Sequence, residues 1–274
     1  MMLRLELRDW EALCGARRAL ARIDHIDRIS GTTSYLSVGV LLGGALRSLG
    51  DTELAVEFLR RAQQEHPGDF WLNLELGNSL TYLESPRAAE AAGYFRAAMA
   101  LRPNSPVCLV KLGEALWLQG DRPGAVAAFQ KAIALDPNYA TAHDGLGIVL
   151  LDQGDRPGAL AACQKAIALK PDLAHPHCNL GNVLRLQGDL PGAIAAYQKA
   201  IALRPNFAQF HINLGNVLWL QGDLPGAIVE YRKALALKPN FAMGQFNLGL
   251  ALFDQRDLPG ARDAYEKAIA LKPD

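Results

Sequence analysis

The sequence predicts an all-α, right-handed α-solenoid built from pairs of helices, and a period of 34 residues is the main evidence. Leu-Gly pairs recur at this interval, with their glycines at Gly113, Gly147, Gly181, Gly215 and Gly249. Prolines keep the same interval, at Pro103, Pro137, Pro171, Pro205, Pro239 and Pro273. In between, each repeat has an alanine, then an aromatic residue or Cys163 after four positions and another alanine after seven. Such spacing is typical of helices, and one helix pair cannot bury its apolar faces alone, so neighbouring repeats must stack.

The first helix of each repeat is predicted to end at the glycine of a Gln-Gly-Asp turn. Glycine adopts the left-handed backbone of a helix C-terminus with the least strain, and these glycines are Gly120, Gly154, Gly188 and Gly222. The aspartate that follows is a good N-cap for the second helix, and the proline two positions later fits its first turn. We expect the small Gly and Ala residues to bring the two helices of a repeat together, with Leu and aromatic side chains between repeats.

Seven repeats are predicted, at residues 36–69, 70–105, 106–139, 140–173, 174–207, 208–241 and 242–274. The second repeat has two extra residues near Glu84-Ser85-Pro86, in the turn between its helices. Residues 1–35 fit no repeat; their pattern predicts one long helix, about Leu7 to Ile26, before a Ser-Gly-Thr-Thr linker. This segment is predicted to be either a capping helix or the remnant of an upstream domain.

Composition restricts the classes of function. The 28 basic residues balance 28 acidic ones, which argues against binding nucleic acid or anionic lipid through net charge. Four cysteines without a Cys-x-x-Cys pair indicate neither a disulfide framework nor a zinc knuckle. The N-terminus lacks the apolar core of a signal peptide, and no apolar run is long enough to span a bilayer. The sequence therefore predicts a cytoplasmic protein with no nucleic-acid or membrane partner.

The series Leu-Gly, Ala, Phe or Tyr, Ala and Pro at fixed offsets resembles the tetratricopeptide repeat (TPR). The resemblance implies a superhelix whose first helices line a concave groove, and a non-catalytic scaffold that binds an extended peptide or a partner protein there. The chain departs from the family where a Trp is usual, a place that here holds Leu109, His143, His177, His211 and Gln245.

The helical phase predicts which side chains line this groove: Lys111, Glu114, Trp117, Asn179, Asn182, Arg185, Asn213, Asn216, Trp219, Phe246, Asn247 and Phe253. Asn179, Asn213 and Asn247 share one repeat position, and a carboxamide has the donor and the acceptor needed to hold a peptide backbone. They resemble the asparagine ladder in the TPR region of O-linked N-acetylglucosamine transferases; the alternative is that Asn is simply common at this TPR position. The aromatic residues are either binding anchors or packing between repeats.

Other kinds of site have little support. His143, His177 and His211 recur, with His175 and Cys178 nearby, but neighbouring repeats lie roughly 10 Å apart, too far to share a metal ion. No phosphate loop, nucleophile elbow, zinc-protease or kinase motif occurs, so we predict no enzyme, no cofactor and no metal. TPR cochaperones bind a C-terminal carboxylate with Lys and Arg, where this chain has Val110, Asp144, Cys178, Ile212 and Phe246.

Two further expectations concern larger assemblies. The stretch Arg60 to Pro106 resembles TPR regions that follow the kinase domain of some bacterial serine/threonine kinases. The alternative function is therefore a detached regulatory or substrate-docking part of a larger signalling enzyme, a kinase or a glycosyltransferase. Tyr265, Ala268, Ile269 and Leu271 belong to a motif that is buried between repeats elsewhere, so we also expect weak self-association through the C-terminal repeat.

Overall fold

The computed structural model describes residues 34–83 and 85–271, and the predicted N-terminal helix lies outside this range. The described residues form fourteen α-helices and no strand, which confirms the all-α solenoid of helix pairs. The helices are α1 Ser34–Ser48, α2 Thr52–Glu65, α3 Phe70–Thr81, α4 Ala88–Leu101, α5 Pro106–Leu118, α6 Arg122–Leu135, α7 Ala140–Asp152, α8 Arg156–Leu169, α9 Ala174–Gln187, α10 Leu190–Leu203, α11 Ala208–Gln221, α12 Leu224–Leu237, α13 Ala242–Asp254 and α14 Leu258–Leu271.

The chain divides into two compact units, Met1–Pro137 and Asn138–Asp274, called here the N-terminal and C-terminal halves. In the C-terminal half, each odd-numbered helix pairs with the helix that follows it, and α8, α10 and α12 each pack on the next helix pair. The first helices of successive pairs, α7, α9, α11 and α13, also contact one another, whereas α8, α10, α12 and α14 make no such contacts. This packing gathers the first helices on one face of the half.

Both predicted cap types are present. In α10 the Asp189 carboxylate accepts a hydrogen bond from the Gly192 backbone N–H at 2.9 Å, and Asp121, Asp155, Asp223 and Asp257 cap their helices in the same way. A Cβ atom at Gly192 would lie 2.2 Å from Asp189 Oδ2, so a larger residue there would displace the cap. The recurring sequence Asp-x-Pro-Gly reflects this requirement for glycine.

The glycines of the Gln-Gly-Asp turns have the expected left-handed backbone, with φ of +85° to +88°. The last repeat has Gln-Arg-Asp instead, and Arg256 takes the same conformation with φ of +70°. A side chain in this region costs about 1–2 kcal/mol, because its Cβ crowds the neighbouring carbonyl oxygen. The turn before α14 therefore contains local strain that the other turns lack.

Replacing Arg256 with glycine should relieve this strain and raise the free energy of unfolding by about 1 kcal/mol, since the greater flexibility of glycine in the unfolded chain offsets part of the gain. The reverse change, Gly222→Arg, should lower it by about 1–2 kcal/mol. Urea unfolding followed by circular dichroism tests both variants. A loss of stability in Arg256→Gly would contradict the prediction.

The aromatic side chains of the repeats lie against the glycines of their own helix pairs. Tyr197 is buried against Gly181 of the same helix pair, where a Cβ atom would come within 2.7 Å of its ring. The same place over the glycine is occupied in the other pairs by Leu59, Phe95, Phe129, Cys163, Tyr231 and Tyr265, over Gly43, Gly77, Gly113, Gly147, Gly215 and Gly249. The missing glycine side chain leaves a notch that the ring fills within its own repeat. Tyr197 and Tyr231 also share core clusters with residues of the following repeat, as expected from the sequence.

The irregular second repeat has weaker local features. Residues 82–87 separate α3 from α4, whereas three residues separate α5 from α6. Arg87, at the N-cap of α4, makes no side-chain capping bond. The Ser79 hydroxyl is fully buried without a hydrogen-bond partner, at a position where other repeats have Ala115, Val149, Val183, Val217 and Ala251.

Candidate peptide-binding surface

The recurring asparagines join neighbouring first helices of the C-terminal half. Asn179 Nδ2 donates to Asp144 Oδ1 at 2.7 Å, and Asn247 Nδ2 donates to Asn216 Oδ1 at 2.9 Å. Asn213 Nδ2 contacts Cys178 Sγ at 3.2 Å. All three asparagines are half-buried, and we call this set of contacts the amide seam. Each of them therefore has a role between repeats, which sequence alone did not indicate.

A second layer of hydrogen bonds connects the first helices to the buried tyrosines. The Tyr197 hydroxyl donates to Asn182 Oδ1 at 2.7 Å, and the Tyr231 hydroxyl donates to Asn216 Oδ1 at 2.9 Å. Burial raises the pKa of both tyrosines, so their hydroxyls stay protonated and remain donors. The guanidinium of Arg185 lies near the same hydroxyl and opposes part of the rise in the Tyr197 pKa. The two hydrogen bonds orient Asn182 and Asn216.

Arg185, Trp219 and Phe253 occupy one repeat position, 34 residues apart, near the ends of α9, α11 and α13. We call them the outer row. Trp219 is half-buried, and its indole Nε1 donates to Asp254 Oδ2 on the next first helix at 2.6 Å. Phe253 is 50% exposed. The row therefore changes along its length from a cation to two aromatic rings.

The positions at which TPR cochaperones bind a C-terminal carboxylate are mostly buried in this chain. Val110, Asp144, Cys178 and Ile212 are buried, and Ile212 lies under Gly244 at the start of α13. Their counterpart Phe246 is 49% exposed, with its ring 5.7 Å from that of Tyr265. Asp144, Cys178 and Ile212 differ from Phe246 because the first helix of the next repeat covers them, through Asn179, Asn213 and Gly244 respectively.

The other predicted residues lie in the N-terminal half. All three residues, Lys111, Glu114 and Trp117, are half-buried on α5. Lys111 Nζ pairs with Glu114 Oε2 at 2.7 Å. The C-terminal half contains the remaining nine predicted residues. Four of them belong to the amide seam and three to the outer row, while Asn182 accepts from Tyr197 and Phe246 is exposed on α13.

Two recurring histidines stabilise the entry to the first helices. His177 Nε2 lies 2.9 Å from the Pro171 carbonyl oxygen, and His211 Nε2 lies 3.1 Å from that of Pro205. His211 Nδ1 also contacts Glu230 Oε2 at 2.7 Å, and both residues are buried. The other carboxylate oxygen of Glu230 pairs with Lys233 Nζ at 2.6 Å. Sequence reasoning missed this cluster, although Glu230 stands where other repeats have Ala128, Ala162, Ala196 and Ala264.

The cysteines of the C-terminal half are unsuited to nucleophilic chemistry. Burial raises the pKa of the Cys163 thiol to about 12 and that of Cys178 to about 11. Both thiols therefore stay protonated, and the thiolate is the form that attacks or binds metal. Within residues 34–83 and 85–271, no group of three or more His, Cys, Asp or Glu side chains is arranged to hold a metal ion. No helix in these ranges has the length and apolar character to cross a bilayer.

Comparisons with known proteins agree with this architecture. Family models described as TPR repeat or tetratricopeptide repeat match residues 39–69, 110–174, 181–222, 220–256 and 242–274. No curated protein matches the chain.

Three crystal structures illustrate the likeness. MamA is 28% identical over 59% of this chain and 95% of its own, with a TM-score of 0.52. A chain of the APC/C hetero-tetramer Cut9-Hcn1 has a TM-score of 0.75 at 20% identity, over 94% of this chain and 50% of that one. YrrB, a TPR protein with an unusual peptide-binding site, is 23% identical over 67% of this chain and 94% of its own, with a TM-score of 0.50. The repeat matches together with the observed helix pairs show that the chain belongs to the tetratricopeptide-repeat family.

Proposed function

We propose that the chain is a non-catalytic scaffold whose C-terminal half binds an extended peptide segment of a partner protein across α9, α11 and α13. The observation that carries the proposal is the amide seam on contacting first helices. Asn179, Asn213 and Asn247 each have two N–H donors and an acceptor oxygen, and one donor already fixes the orientation of each side chain. The Asn213 oxygen also accepts a hydrogen bond from Gln209 Nε2 at 2.9 Å. The second N–H donor of each asparagine and the oxygens of Asn179 and Asn247 suit the C=O and N–H groups of a peptide backbone. The peptide-binding site named for YrrB is consistent with such a use of the fold.

Changing Asn179, Asn213 and Asn247 together to alanine should weaken peptide binding at least tenfold. The same change should lower the free energy of unfolding by about 1.5–4.5 kcal/mol, because three contacts of about 0.5–1.5 kcal/mol each are lost between neighbouring first helices. Binding is measured by fluorescence anisotropy with peptides selected from a random 12-residue library on the intact chain, at a temperature where both proteins are fully helical.

A matched control replaces Gln164 and Gln198, two exposed carboxamides on α8 and α10, with alanine. This double variant should bind and unfold like the original chain. If the library yields no binder, or if the selected peptides bind the triple variant as tightly as the original, the proposal is wrong.

Three finer expectations stay predictions: a cytoplasmic location, weak self-association through the C-terminal repeat, and a role as the docking part of a larger signalling enzyme. The exposed Phe246 and Ile269 of the last repeat are consistent with self-association.

A further inference from the structure

We infer that the bound peptide takes a polyproline II conformation and places an acidic side chain on Arg185 and two apolar side chains, three and six residues away, on Trp219 and Phe253. This inference rests on the proposed function and specifies the ligand class of the same surface. The evidence for this inference is the outer row, whose three side chains share one repeat position on successive first helices but differ in chemistry.

The spacing of the row matches one peptide conformation. Helices in contact lie about 8–10 Å apart, and α9, α11 and α13 contact in succession. A polyproline II chain has three residues per turn and advances about 9 Å per turn, so side chains three residues apart point to the same side. In a β-strand the side chains alternate with a period of two, so residues three apart point to opposite sides. Of these two conformations, only polyproline II brings one side chain of every third residue to each member of the outer row.

The charges along the row determine which end receives the acidic residue. Arg185 is half-buried with its guanidinium near the Tyr197 hydroxyl, and a guanidinium has five N–H donors suited to a carboxylate. At the other end, the exposed carboxylate of Asp254 lies beside Phe253 and would repel an acidic residue. Charge complementarity therefore places the acidic residue at α9 and an uncharged segment at α13.

The aromatic end is prepared to receive apolar side chains. The hydrogen bond from Trp219 to Asp254 fixes the indole across two helices, so little side-chain freedom remains to be lost on binding. One side of Trp219 packs against the core cluster around Ile212 and Tyr231, and Phe253 is half exposed. Large aromatic side chains held in this way often dominate the energy of an interface.

The test uses fluorescein-labelled peptides of Pro and Ser that contain one Asp and two Leu residues. The Asp and the two Leu are spaced by two, three or four positions, in both chain directions, and fluorescence anisotropy gives the affinity for the intact chain. We expect the better direction with a spacing of three to bind at least tenfold tighter than either other spacing. Trp219→Ala or Phe253→Ala should each weaken it at least tenfold. Replacing the Asp of the peptide by Lys should weaken binding about tenfold, and Arg185→Glu should reverse this preference.

Several results would overturn the inference: equal affinity for the three spacings, an unchanged Asp preference in Arg185→Glu, or no binding of any designed peptide. The random-library selection decides the proposed function separately, because it presumes no spacing. Library peptides that bind through the amide seam without this spacing would leave the proposed function standing and the inference wrong. Thermal melting of each variant confirms that lost binding does not reflect unfolding.

Discussion

Replacing Gly215 with valine is expected to cost the C-terminal half about 3 kcal/mol or more of its free energy of unfolding. A Cβ atom at this position would lie 2.6 Å from Tyr231 Cε1 and 2.8 Å from Cδ1, and Tyr231 is 98% buried. The ring is buried and its hydroxyl bonds to Asn216 Oδ1, so we expect α11 and α12 to separate in order to accommodate the valine. Overpacking of a core usually costs 1–3 kcal/mol, and a contact this short on a buried ring places the change at or above the upper end.

Gly93 provides the matched control, because it lies in α4 with no atom within 4 Å of a Cβ at that position. Gly93→Val should leave stability unchanged or raise it slightly, since valine has the higher helix propensity. Adding Tyr231→Ala to Gly215→Val should restore part of the lost stability by reopening the notch. Urea unfolding followed by circular dichroism gives all four values, and a Gly215→Val chain within 1 kcal/mol of the original would refute the prediction.

The second large effect is expected at the His211 and Glu230 pair, where the two partners should respond unequally. His211→Ala removes the donor that faces a buried carboxylate, and breaking a buried pair in this way costs about 3–5 kcal/mol. We expect about 3 kcal/mol, because Lys233 continues to pair with the other oxygen of Glu230. The lost contact to the Pro205 carbonyl oxygen adds to this cost.

Glu230→Ala should cost less than about 1 kcal/mol, because it recreates the arrangement of the preceding repeat, where His177 bonds to Pro171 beside Ala196. The double variant His211→Ala with Glu230→Ala should be more stable than His211→Ala alone. Unfolding of the three variants forms a double-mutant cycle. Equal losses from the two single changes would show that an uncompensated charge is not the cause.

Much of the fold could be predicted because the period of the sequence is also the period of the structure. The caps at Asp189 and Gly188 use local chemistry, in which a side chain or backbone acts within three residues of its own position. The sequence also shows which repeat position Tyr197 occupies, but it does not show what the ring packs against. Spacing shows that a ring is on an apolar helical face, and only the packed pair shows that Gly181 leaves the notch that it fills.

The sequence by itself determined the family, the helix pairs and the recurrence of asparagines and aromatic residues on the first helices. Only the tertiary structure decided what those side chains contact: Asn179 reaches Asp144 and Trp219 reaches Asp254, each 35 residues away. It also showed that His211 and Glu230 form a buried pair and that the first helix of the next repeat covers Ile212. The physical reason is the distance along the chain over which each interaction acts. Helix propensity and capping act within a turn or two, whereas hydrogen bonds between repeats depend on how one helix pair is placed on the next.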